Sequence, residues 1–388
     1  MSKKKTSNLL VSFLIFGLLI LTGTISYIIY YSKNIDYIQD TKEKDKEVSA
    51  SKNQIEEKVD EKKDTPKKDA FSEVLLSFAG DATIGHDSNF AFANSLPYVL
   101  DKNNNDFSYF FKNVASIFKE DDISVVNLET NFTTSDTRES KQFNFKADPS
   151  YAKSLTLGHI EGVNISNNHI YDYKEQGFND TIEALKANNI NYFGEGNVWT
   201  TEVKGAKLGF LGYMGFSDYP ELRAKLEKDI KKLKDEGRIV IINFHWGIEN
   251  DYYPVDSQQT LARFAIDTGA DLIIGHHPHV IQGIEQYKGK IIAYSLGNFC
   301  FGGNFNPRDK DTFILQVKYK LKNGIPESYA VRAIPTSISS VDYINDYCPT
   351  PMEGDNKARL LKKLNNLSKS AGFSISDQFY EISYDGKN

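Results

Sequence analysis

Apolar residues along this chain fall into short runs separated by longer stretches of mixed polarity. Residues 72–79, 123–126, 162–165, 239–244 and 270–274 are rich in Val, Ile, Leu and Phe, with the length and make-up of buried strands. Between them, residues 176–188 and 256–268 repeat apolar positions at helical spacing. Strands alternating with helices predict a layered α/β domain with its strand ends gathered along one edge. Farther along, residues 312–319 and 328–334 alternate as antiparallel strands do, with Lys322-Asn323-Gly324 as the turn signal between them. Residues 355–370 read as one amphipathic helix presenting Leu360, Leu361, Leu364 and Leu367 on a face. Residues 373–384 either add a strand or pack against the core.

Each of the first five runs ends in residues able to bind a metal. They lead in turn into Gly80-Asp81, Asn127-Leu128-Glu129, Ser166-Asn167-Asn168-His169, His245-Trp246-Gly247 and Gly275-His276-His277-Pro278-His279. The chain has seven histidines, and three of them sit in that last segment, a concentration that packing does not explain. Open α/β sheets place their chemistry at strand ends. Neutral imidazole with carboxylate and amide oxygen is a donor set for zinc, manganese or iron.

In this order the segments resemble the calcineurin-like metallophosphoesterase fold, and within it the CapA/PgsA proteins of poly-γ-glutamate capsule synthesis. Asp172-Tyr173 after His169, Val280 after His279, and Tyr294-Ser295-Leu296-Gly297-Asn298-Phe299 complete the pattern, which spans roughly residues 73–335. The resemblance implies a metallophosphoesterase-like β-sandwich flanked by helices, holding one or two divalent ions. It assigns Asp81, Glu129 and His279 to one ion, and Glu129, Asn168, His245 and His277 to the other. His169, with Asp172, takes the catalytic proton-transfer position. Glu249, Asn298 and Arg308 are the expected substrate-binding residues, with Asn298 alternatively hydrogen-bonding the metal loop and Arg308 alternatively an ordinary surface residue.

Two departures bear on activity. The phosphoesterase pattern has a histidine two positions after the first aspartate, where this chain has Thr83, and Glu129 stands where a bridging aspartate is usual. His86 is a candidate substitute for the missing donor. Other residues keep two readings each. His276 either caps its loop or supports the neighbouring ligands, and Asp172 either orients His169 or caps the following helix. Trp246 and Tyr252 form either a wall over the site or part of the core. Glu249 and Asp251 either meet substrate or stay solvated.

The chain has 388 residues, 40% of them hydrophobic, enough for one large core or two small ones. Residues 1–7 carry Lys3, Lys4 and Lys5, and residues 8–32 then contain no charge. That length suffices for one transmembrane helix and is too long for a cleaved signal peptide, which would also need a small-residue cleavage site. The basic start predicts a cytoplasmic N-terminus and an extracellular C-terminal domain, anchored in the cell membrane by a single pass. Residues 33–70 read as a charged flexible stalk, residues 71–345 as the metallophosphoesterase-like domain, and residues 346–388 as a C-terminal extension. A net charge of −6 argues against nucleic-acid binding. Cys300 and Cys348 are the two cysteines, and an outside location permits a bridge without showing that they meet.

The functional expectation is a membrane-anchored protein of poly-γ-glutamate synthesis or export. Its expected partners are membrane-embedded synthase components and an anionic polymer or phosphorylated substrate. A general metal-dependent phosphoesterase and a non-catalytic scaffold are the alternatives, with catalysis left open.

Overall fold

The computed structural model describes residues 69–384. The basic start, the apolar segment of residues 8–32 and nearly all of the charged stalk lie outside the described residues. Among the described residues no helix is long and apolar enough to cross a membrane.

All five apolar runs are strands: β1 (Phe71–Thr83), β2 (Ile123–Leu128), β3 (Gly162–Asn164), β4 (Ile239–His245) and β5 (Leu272–His276). β1, β2 and β3 lie side by side and parallel in one sheet, and β4 and β5 are parallel neighbours in a second. The first sheet continues beyond β1 through the antiparallel hairpin of Asp311–Lys322 and Ile325–Ser337. Its turn uses Asn323 and Gly324, both at positive φ, as the Asn-Gly pair requires. Helices α1 (Lys174–Ala187), α2 (Asp256–Thr268) and α3 (Gly354–Leu367) complete the main elements used below.

Alternation along the strands builds three apolar layers. Val74, Leu76 and Phe78 of β1 meet Ile239 and Ile241 of β4 and Leu272 and Ile274 of β5 in the layer between the sheets. Val240, Ile242 and Phe244 of β4 point the other way, onto Leu261 and Ala265 of α2. On the outer face of the first sheet, Val126 and Leu128 pack with Ile182 and Leu185 of α1. The two faces of one strand thus serve two cores, as a period of two demands.

The C-terminal segment belongs to the same body. Leu360 and Leu364 of α3 enter the layer between the sheets, and Tyr380–Ser383 pairs with Ile325–Ser337. Cys300 and Cys348 are both buried and free.

Register at the end of β1 aims the first ligand. The pairing of β1 with β2 shifts between Phe78 and Asp81. Ala79 and Ala82 consequently share the outer cluster although they are an odd number of residues apart. A bulge of this kind re-aims a side chain. Gly80 is needed there because a Cβ would stand 1.9 Å from the Gly297 carbonyl oxygen, which also accepts a bond from the Asp81 N–H. Gly275 is needed for the same reason: its Cβ would lie 1.9 Å from the Tyr294 carbonyl oxygen.

Candidate metal centre

The ends of all five strands converge. Glu129, His245 and His277 bring one donor atom each within 4.8 Å of one another, and so do Asp81, Glu129 and His279. Glu129 is common to both groups. Asn168 joins the first, its side-chain oxygen 2.7 Å from His245 Nε2.

Glu129 is the centre of the arrangement. It is fully buried, and neither carboxylate oxygen has a hydrogen-bond partner. Around Oε1 stand the Nε2 atoms of His245 at 3.5 Å, His279 at 3.9 Å and His169 at 4.0 Å, none close enough to bond. Burial pushes the carboxyl well above its usual range, and the charges of Asp81, Glu249 and Asp172 push in the same direction. An orphaned buried carboxylate ringed by imidazoles fits a bound divalent cation, which would give its oxygens the partner that the protein does not.

Two of the imidazoles, His245 and His277, suit that role because burial favours their neutral form. Burial drives His245 well below the ordinary histidine range, and the neighbouring rings add to it. His277 is pushed down to about 4, first by burial and then by His279, against the opposing pull of Asp81. A neutral ring keeps a lone pair for a metal. His277 and His279 adopt φ of 96° and 58° on either side of Pro278. Left-handed backbone at non-glycine residues costs on the order of 1–3 kcal/mol each, and here it accompanies two rings turned into one site.

Asp81 is buried and engaged from several sides. Its Oδ1 accepts a 2.8 Å bond from Asn127 Nδ2, and its Oδ2 accepts the His277 N–H at 3.1 Å. Burial opposes its charge, but the His276 ring, His279 and the Asn127 amide hold the carboxyl below its ordinary value. His276 therefore supports Asp81: its Nδ1 lies 3.4 Å from Asp81 Oδ1, and its Nε2 lies 3.0 Å from Asn243 Oδ1.

His169 faces Glu129 from the open side. Its Nδ1 lies 2.7 Å from Asp172 Oδ2, which also accepts the Phe145 N–H at 2.6 Å. Of the two readings for Asp172, the geometry shows the orienting one, and Tyr173 takes the N-cap position of α1. Lys141 pairs with Asp172 and donates to the Asn168 carbonyl at 2.7 Å. With Nδ1 turned to Asp172, Nε2 is the atom left to exchange a proton in the site.

A cavity of about 600 Å³ opens over this edge, bordered by His169, His279, Glu249, Tyr252, Phe301 and Arg308. Arg308 is exposed there, with no ion pair among the described residues. Asn298 borders the cavity too, but His279 occupies its amide: Oδ1 lies 2.9 Å from His279 Nδ1, and Nδ2 donates to the His279 carbonyl at 3.0 Å. Glu249 has a donor atom within 4.8 Å of donor atoms on both His277 and His279. Trp246 is wholly buried, stacked on Phe244 with its indole N–H on the Tyr294 carbonyl, so it belongs to the core. Tyr252 stands on the cavity wall and donates to Asp309. Thr83 Oγ1 is buried without a partner, and His86 borders a separate cavity, outside the converging donor groups.

Sequence reasoning did not anticipate the asparagine frame behind the ligands. Asn127 bonds Asp81, lies 3.3 Å from His245 Nδ1, and accepts from Asn164 Nδ2 at 2.9 Å. An amide in an otherwise apolar buried strand, as at Asn127 and Asn243, was the available signal. Lys141 had none, since its segment carries no periodic pattern.

Comparison with known proteins gives the family of the chain. Residues 75–303 match the family described as bacterial capsule synthesis protein PGA_cap. Capsule biosynthesis protein CapA of Bacillus anthracis is 30% identical over 311 residues, 72% of this chain and 72% of that protein. PGA biosynthesis protein CapA of Bacillus subtilis (strain 168) is 29% identical over 349 residues, covering 84% of this chain and 86% of that one. Among solved structures, a purple acid phosphatase from yellow lupin aligns over 74% of this chain and 55% of its own at 7% identity. Its TM-score of 0.32 is too low to carry an argument. The chain belongs to the bacterial capsule synthesis protein family.

Proposed function

We propose that this protein acts in poly-γ-glutamate capsule synthesis or export, as a single-pass membrane protein whose folded domain stands outside the cell. It works there beside membrane-embedded synthase components, with its metal centre turned toward an anionic polymer or phosphorylated substrate. Two lines of support meet: relatives named for capsule and PGA biosynthesis, and the donor set around Glu129. The observation that carries the reading is Glu129 itself, buried without a partner among three imidazoles. Asp81, Glu129 and His279 would hold one ion of manganese, zinc or iron, and Glu129, Asn168, His245 and His277 a second. Bound ions supply Lewis acidity and neutralise charge on an anionic group. The chain's own residues hold the ligands in register, place His169 Nε2 at the mouth, and present Arg308 to an anion.

A strain lacking this protein should lose γ-linked glutamate polymer from its surface, and the full-length chain should restore it. His277→Ala, made at normal level, should not restore it. Unchanged polymer in the deletion strain removes the capsule reading. Restoration by His277→Ala keeps the capsule role but makes the protein a scaffold. A second reading, phosphate-ester hydrolysis, is favoured by the His169–Asp172 pair at the mouth. It requires metal-stimulated turnover of phosphomonoesters or diesters that His245→Ala abolishes.

A further inference from the structure

The two donor groups are unequal. The group of Glu129, His245 and His277 has Asn168 beside it as a fourth donor, whereas the group of Asp81, Glu129 and His279 offers three. Thr83 stands where a further donor would be expected, its hydroxyl buried and unpartnered. Zinc takes about four ligands, and manganese or iron more, so three protein donors leave such an ion at least one open position, which water or a further side chain can fill.

The missing donor has a candidate on the other side of the site. Glu249 is exposed on the loop after β4, and its carboxylate has an oxygen within 4.8 Å of donor nitrogens on both His277 and His279. Those two rings belong to different groups, so Glu249 lies across the boundary between the two ion positions. The loop is fixed to the metal-binding loop by backbone and side chain. The Asn250 N–H donates to the Pro278 carbonyl at 2.8 Å, and Gln282 Nε2 donates to the Asp251 carbonyl at 2.9 Å. Positive φ at Gly247 and Asn250 makes the turn that brings the carboxylate back over the rings.

We propose that Glu249 is itself a ligand of this centre, closing its solvent side and supplying the donor that Thr83 does not. The inference rests on the metal-centre reading above. A third carboxylate lowers the formal charge of the loaded centre by one. As the one exposed carboxylate ligand, and one that also borders the cavity, Glu249 is the ligand an incoming anionic oxygen displaces. Charge and accessibility thus make it the exchangeable position, while Asp81 and Glu129 stay fixed behind.

The test is Mn²⁺ binding to the full-length chain, measured by equilibrium dialysis and by the electron paramagnetic resonance signal of bound manganese. Wild type should bind in a tighter and a weaker step. Glu249→Gln should weaken one step by about tenfold or more, the scale expected when a group supporting a metal is removed, and should alter the signal. Asp251→Asn removes a neighbouring charge without a ligand and should leave the isotherm unchanged. Identical isotherms for wild type and Glu249→Gln overturn the proposal. So does equal weakening in Glu249→Gln and Asp251→Asn, which would reduce the effect to a field. Wild type that binds no manganese overturns the metal-centre reading as well, a different result from wild type that binds and a variant that matches it.

Discussion

Glu129 and Asp311 are both buried carboxylates, and the fold treats them in opposite ways. Asp311 receives two bonds from Arg359, at 2.8 and 2.6 Å, and one from Lys363 at 2.9 Å, all from α3. Burial works against its charge, yet those cations hold its carboxyl below the ordinary range. Glu129 has no cation of the protein bonded to it, and its carboxyl is driven well above that range, chiefly by burial. Lys141, the lysine beside the site, is committed to Asp172 and the Asn168 carbonyl. The chain therefore neutralises a buried carboxylate with its own cations where the purpose is to hold α3 in place. At the strand ends it surrounds one with imidazoles and bonds no cation of its own to it.

That contrast bears most heavily on Glu129. Glu129→Gln keeps the shape but gives up the shared ligand, so metal affinity should fall by more than about a hundredfold, beyond the loss from a supporting group. The metal-free variant should melt higher than metal-free wild type at pH 8, because an unpaired acid has left the interior. Metal should then raise its melting temperature little or not at all, whereas wild type is stabilised by mass action. A metal-free variant that melts below wild type would show that Glu129 has found partners within the protein, and the contrast with Asp311 would collapse.

At Asp311 the same kind of change should act in the opposite direction. Asp311→Ala strands Arg359, whose side chain is 51% exposed and can rehydrate, while Lys363 keeps its 2.6 Å bond to Asp309. The loss should therefore sit at the low end for a charged network, about 1–2 kcal/mol at pH 7. The lowered carboxyl sets the sign with pH. The contribution is complete above the unfolded value near 4 and disappears as pH falls through the lower folded value. Urea unfolding at pH 7 and pH 3 should show the two proteins converging in acid. An equal gap at both pH values would assign the effect to packing.

Much of the centre was legible in the sequence because both halves of its signal are local. An apolar run announces a strand, and the residues right after it announce a ligand, so Asp81, Glu129, Asn168, His245, His277 and His279 stand out without a fold. What brings them together is not local. The His277 N–H reaches Asp81 across 196 positions of sequence, and the bulge after Phe78 that turns Asp81 inward leaves no mark on the hydrophobic pattern. Glu249 read as a substrate contact or a solvated loop residue, because its distance from His277 and His279 does not show in one dimension. Asn298 borders the cavity and also hydrogen-bonds the loop of residues 275–279 as its place after an apolar run suggested, though which histidine it meets is visible only in space. The helix at residues 355–370 was clear from its leucines. Its charged clamp on Asp311 was not, since Arg359 and Lys363 read as an ordinary polar face.

A half-buried carboxylate stands between the other two, and its removal should matter least. Asp121, before β2 and at the end of that strand remote from Glu129, accepts a 2.7 Å bond from the Ser124 hydroxyl on Oδ2, while Oδ1 is buried with no partner. Burial pushes its carboxyl up to about 7, and the charges of Glu161 and Asp122 add to the shift. The folded value lies above the unfolded one, near 4, so the folded state holds the proton more firmly. Stability is then complete below pH 4 and declines as pH rises toward 7. Asp121→Asn keeps an acceptor for Ser124 and removes the ionisation. It should match wild type at pH 4 and melt higher by a few degrees at pH 8, since the roughly 4 kcal/mol that a rise from near 4 to about 7 carries is discounted for a side chain that solvent partly screens. A gap that does not depend on pH would mean that shape, not charge, sets the cost. A half-partnered carboxylate whose cost rises with pH would place Asp121 on one scale with Asp311 and Glu129, ordered by how much of its charge the protein itself supplies.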